Sequence, residues 1–103
     1  MDGVYKVGGD VKPQKITNHV QAEFSDEALR ESIRNPNFRT TSVLYLVVDT
    51  NGKPQDICIQ KFAGYGLDIE AVEAARQYRF KPATKDGTPV AVRIEVEVNF
   101  RSY

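Results

Sequence analysis

From Val90 to Phe100 the chain alternates without a break: Val90, Val92, Ile94, Val96, Val98 and Phe100 stand against Ala91, Arg93, Glu95, Glu97, Asn99 and Arg101. Successive side chains of a strand point to opposite faces, so this period of two predicts a strand with one dry and one wet face. Val43 to Val48 is apolar throughout, which predicts a short strand in the middle of a sheet. Asp49-Thr50-Asn51-Gly52 follows, and Asn-Gly accepts the positive φ of a tight hairpin turn. The returning strand is expected from about Gln55 to Phe62, with Ile57 and Ile59 on one face.

Two helices fill the remaining segments. The first is expected to begin at Ser25, whose hydroxyl can accept from free backbone amides, with Asp26 and Glu27 at the positive end of the helix dipole. Phe24 and Leu29 have the spacing of a hydrophobic staple, and Ala28, Leu29 and Ile33 form an apolar stripe until Asn35-Pro36 stops the helix. Asp68 is read as the second cap, Leu67 and Val72 as a second staple, and Ala71, Val72, Ala75 and Tyr78 or Arg79 as one side of a helix that Phe80-Lys81-Pro82 ends. Asp86-Gly87 marks a further turn.

The resulting expectation is an α+β fold: two helices packed on one face of a three-stranded antiparallel sheet, in the order helix-strand-strand-helix-strand. This is a split βαβ unit with sheet order 2-1-3, because a right-handed crossover through the second helix returns the last strand beside the first. Residues 1–20, in which Val4, Tyr5 and Val7 could make a short strand before Gly8-Gly9 and Pro13 break the pattern, are read as an N-terminal arm lying on a domain of residues 21–103. The second and third strands are then edges, and an edge offers unpaired N–H and C=O groups to another strand.

Composition narrows the functions. The chain has 103 residues, enough for one hydrophobic core, and its 14 basic and 14 acidic residues give a formal net charge of zero. There is no global field to draw in nucleic acid, so none is expected as a partner. The single cysteine, Cys58, excludes an internal disulfide, and no Cys/His cluster suggests a metal. No apolar run has the length of a membrane span, and Met1-Asp2-Gly3 does not open a signal peptide. Two origins stay open: a cytoplasmic protein, or a domain cut from a longer exported or membrane-anchored one.

No catalytic constellation emerges. His19, the only histidine, has no Ser or Cys nucleophile beside it and is expected as a solvated loop residue. Cys58 is expected as a small, half-buried strand residue. Asp49 and Asp56 flank the hairpin without a third ligand, and Gly64-Tyr65-Gly66 lacks the spacing and lysine of a phosphate loop. Arg76, Arg79, Lys81 and Lys85 form a basic run of the kind that is solvated around a helix end. We expect neither enzyme activity nor a cofactor.

Taken in order, Val43 to Asp49, Asn51-Gly52, Gly66-Leu67-Asp68, Ala71-Val72, Arg76-Gln77-Tyr78-Arg79-Phe80-Lys81-Pro82, Asp86-Gly87-Thr88-Pro89-Val90 and Val96 to Phe100 resemble the C-terminal domain of TonB-type energy transducers. The resemblance runs from about Gln21 onward. It departs at Gln21-Ala22-Glu23-Phe24-Ser25, where the family's Gln-Pro-x-Tyr-Pro-like stretch loses both prolines, and at Tyr78, where the family often has Trp.

The resemblance implies the periplasmic domain of an inner-membrane-anchored protein, driven by the ExbB/ExbD motor through an N-terminal anchor outside this sequence. It implies binding to outer-membrane transporters through a short segment, the TonB box, added as a strand to the sheet. By match of position the gripping residues are Gln21, Glu23 and Phe24 together with Arg93, Glu95, Glu97, Asn99 and Arg101. The competing expectation is an envelope assembly domain that uses the same third-strand edge for a homodimer or another protein.

Overall fold

The computed structural model describes residues 3–101. Three short strands come first, β1 (Val4–Tyr5), β2 (Val11–Lys12) and β3 (Lys15–Asn18). Helix α1 (Asp26–Arg34), strands β4 (Arg39–Val48) and β5 (Pro54–Lys61), and helix α2 (Leu67–Arg76) follow. The chain ends with β6 (Arg79–Lys81), β7 (Ala83–Lys85) and the long β8 (Thr88–Arg101).

The expected three-stranded sheet is overturned. The main sheet has six strands, in the order β2-β7-β8-β4-β5 with β1 also on β8, and β3 pairs with β6 in a separate two-stranded sheet. Among the described residues, eight strands and two helices make a mostly β architecture rather than a helix-covered three-stranded sheet. The difference lies in elements too short to show a period. Residues 3–18, read as an arm, supply β1, β2 and β3, and the segment after α2 supplies β6 and β7. Asp86 (φ 51) and Gly87 (φ 79) both take positive φ between β7 and β8, the geometry of a two-residue hairpin loop.

β4 runs antiparallel to β8 from Arg39↔Arg101 to Val48↔Val92 and antiparallel to β5 on its other side. Its two neighbours explain its unbroken apolar run. Leu44, Leu46 and Val48 enter the core with Val92, Val98 and Phe100 of β8. Val43 and Val47 are also buried, although they point the other way. Their cross-strand neighbours are Glu97 and Lys61 for Val43, Arg93 and Gln55 for Val47, and the apolar stems of such long side chains shield the valines. β5 reaches this register through two irregularities, and Asp56, at φ 51, sits in one of them.

α2 closes the core with Leu67, Ala71, Ala74 and Ala75, and small residues let it approach the sheet. Asp68 is not its cap. Gly66 holds that position at φ 70, and the Asp68 side chain turns back to accept from Ser42 Oγ (2.7 Å), Ala63 N (2.8 Å) and Gly64 N (3.0 Å). Ser25 does cap α1, accepting from Ala28 N at 3.1 Å, and its hydroxyl donates to the Tyr65 carbonyl. The stripe expected to bury α1 is largely outside the core. Ala28 is buried, whereas Leu29 is 49% and Ile33 83% exposed. Cys58, expected to be half-buried, is exposed.

Candidate functional site

β8 is open only along part of its length. Thr88 to Val90 pair with β7, and Ala91 and Val92 pair in parallel with Val4 and Tyr5 of β1. Val92 pairs at once with Tyr5 and with Val48, so β1 lies across β8 from β4. From Arg93 to Arg101 that side has no strand among the described residues, while the opposite side is fully bonded to β4. The third-strand edge read from the sequence is therefore covered at its start and bare over Arg93 to Arg101.

The bare stretch begins where the arm turns away. In-register continuation of β1 would set Lys6 opposite Arg93, a like-charge pair that weakens a ladder. The chain bends at Val7 and reverses through Gly8 (φ 135) and Gly9 (φ 57), with Gly8 N donating to Val11 O and Val11 N to Gly8 O at 3.2 and 3.0 Å. Val11, buried, then anchors the arm beside β7.

Each end of the open edge carries a cavity. At the Arg101 end a cavity of about 790 Å³ is bordered by Gln21, Ala22, Phe24, Arg39, Thr40, Thr41, Asn99, Phe100 and Arg101. Phe24 packs edge-on against Phe100 and Phe38, with ring centroids 6.0 and 6.2 Å apart, and Phe38 meets Tyr65 at 5.1 Å. Phe24 thus belongs to an aromatic cluster that borders this cavity. Thr41 Oγ1 donates to Asn99 Oδ1 at 2.7 Å and fixes that amide across the ladder. At the Arg93 end a cavity of about 580 Å³ lies between the arm and β8, with Lys6, Val7, Pro13 and Gln14 facing Tyr45, Arg93, Ile94 and Glu95.

The residues expected from the sequence therefore separate into two groups. Gln21, Phe24, Asn99 and Arg101 converge on the first cavity, and Arg93 and Glu95 line the second. Glu97 is exposed between them, and Glu23 is exposed and borders neither. Arg39 and the arm residues were not foreseen. Arg39 carries a signal only once β4 and β8 are in register, because it then stands directly opposite Arg101.

Electrostatics at the edge are those of solvated charges. Arg93, Glu95, Glu97, Asn99 and Arg101 are all exposed. Arg76 with Glu73, both on α2, is the one side-chain ion pair among the described residues, 3.0 Å apart. Asp49 follows Val48 at the end of β4 that pairs with Val92 and Arg93. Burial pushes its carboxyl up, but hydrogen bonds from Lys53 N, Gln55 and Asn51 N and the Lys53 charge outweigh that and hold it below its ordinary 3.8. Burial raises the Tyr78 phenol above 10.0, and His19, exposed, places its ring 5.0 Å from that of Tyr78. Among the described residues no three metal-ligating side chains gather.

The fold and its edge define a small domain whose central strands leave one long bonding face open. Residues 39–102 match the family described as Gram-negative bacterial TonB protein C-terminal, and the chain belongs to that family. It is similar to proteins named Protein TonB from two strains of Xanthomonas campestris pv. campestris, B100 and ATCC 33913. Each is 36% identical over 59 residues, which is 56% of this chain and 26% of the relative. The match spans about a quarter of the length of these relatives. The chain is a TonB C-terminal domain, and that family is not one of enzymes.

Proposed function

We propose that this domain is the periplasmic end of an inner-membrane-anchored transducer and that it receives the TonB box of outer-membrane transporters as a strand added to β8. The observation that carries the reading is the run from Arg93 to Arg101, bonded to β4 on one side and bare on the other. Backbone pairing along such an edge supplies affinity with little demand on side chains, so one domain can serve several transporters. Gln21, Glu23 and Phe24 flank the incoming strand at one end, and Arg93, Glu95, Glu97, Asn99 and Arg101 stand beside it and adjust selectivity. The chain's own β1 supports the assignment, because it already pairs with β8 along the same side.

In the full transducer this grip connects the ExbB/ExbD motor, fed by the proton motive force, to the outer-membrane transporter. The test is an amide NMR titration of the labelled domain with TonB-box peptides. Shifts concentrated on Arg93 to Arg101 and around Gln21 are expected. A domain that dimerises through β8, insensitive to salt and to every peptide, would instead make the edge a self-association surface.

A further inference from the structure

The exposed row of β8 carries a charge pattern that a strand added there would have to meet. Arg93 is positive, Glu95 and Glu97 are negative, Asn99 is neutral and Arg101 is positive. All five side chains are exposed, and none has a carboxylate or cationic partner within ion-pair distance among the described residues. The Arg101 end is more positive still, because Arg39 stands directly across the ladder from Arg101 and borders the same cavity. Like charges placed directly opposite destabilise a sheet pair, and an acidic group between them would relieve that repulsion.

Resting on the strand-addition reading above, we propose that β8 selects partner segments by a charge code: acidic residues at both ends of the added strand and basic residues between them on the same face. Cross-strand neighbours on one face have Cβ atoms about 5 Å apart, so each side chain of the partner meets one residue of this row. An acid then faces Arg93, bases face Glu95 and Glu97, Asn99 accepts either, and the second acid faces Arg101 and Arg39. The intervening residues of the partner fall on the dry face, beside Ile94, Val96 and Val98, and are apolar. The code reads the same in either strand direction, since both ends of the row are positive.

The test uses the whole chain and peptides of about nine residues, the length of the open stretch. One peptide carries Glu at both ends and Lys at the three inner same-face positions, with Val between. A second has the signs reversed, and a third has Gln at every charged position. At low salt the matched peptide is expected to bind at least about tenfold more tightly than the reversed one, the low end of what four cross-strand charge pairs sum to. The gap should narrow as salt rises. The double variant Glu95→Lys with Glu97→Lys, at two exposed positions, should erase the preference, because two favourable pairs then balance two unfavourable ones with either peptide. If all three peptides shift the Arg93 to Arg101 amides with equal affinity, strand addition stands and the code is overturned. If none of them shifts those amides, both readings fall together.

Discussion

Gly52 makes the sharpest test of how the hairpin is locked to the rest of the molecule. It is buried at φ 78, its carbonyl accepts from Phe80 N at 2.9 Å, and a Cβ built on it would overlap the Phe80 carbonyl oxygen and lie 3.0 Å from the carbon. The obstacle is backbone, held by the pairing of β6 with β3 and by the buried Phe80 ring, so it cannot swing aside. Gly52→Ala therefore incurs the left-handed backbone penalty, about 1–2 kcal/mol. It also forces apart a buried hydrogen-bonded pair, worth about 1–3 kcal/mol when left unmade. A total loss of about 2–5 kcal/mol is a large part of the roughly 5–15 kcal/mol that holds a domain folded. Gly87 supplies the control, because its φ of 79 is nearly the same and a Cβ there meets nothing within 4 Å. Gly87→Ala should lose only the backbone term, about 1–2 kcal/mol. Urea denaturation of the two variants side by side measures the difference. Equal midpoints would refute the argument that contact with Phe80, and not the turn's φ, makes Gly52 obligatory.

Asp68→Ala strands the fully buried Ser42 hydroxyl and the Ala63 amide, and should cost about 3 kcal/mol or more in chemical denaturation. Asp68→Asn retains one acceptor oxygen and should lose roughly half as much. Asp49 should contribute to acid sensitivity: its carboxyl is held below 3.8, so its stabilisation is fully present above about pH 4 and disappears as pH falls through the depressed value. Thermal melts between pH 5 and pH 2.5 should show a shallower acid-side fall for Asp49→Asn than for the parent chain, and identical slopes would discount the hairpin bonds.

The long elements were legible in the sequence because each buries a whole face. β8 shows its period of two over a full strand, β4 its unbroken apolar run, and Ser25 its role as cap. Val4 and Tyr5 of β1 were legible as a short strand but not its pairing with β8, and β2 and β7 were not legible at all, since two or three residues cannot display a period. Asp68 was misread for a physical reason. An aspartate at the head of an apolar stripe looks like a cap, but Gly66 at positive φ starts the helix, and the Asp68 side chain is needed by Ala63, Gly64 and Ser42. Ile33 shows the reverse error, an apolar residue at helical spacing that the fold leaves in solvent. At the site, the charged row on β8 followed from alternation alone, whereas Arg39 and the arm residues join it only through register and a chain reversal.

The molecule is long and narrow, 52 × 23 × 20 Å, and β4 and β8 stay bonded rung for rung from Arg39↔Arg101 to Val48↔Val92. A seam of that kind has a grain. Tension parallel to β8 loads its rungs together in shear, so detachment requires many hydrogen bonds to yield at once, whereas tension across it opens them one at a time like a zip. Tethered in the first orientation and pulled, the domain should outlast the same domain tethered in the second, with no change in its equilibrium stability.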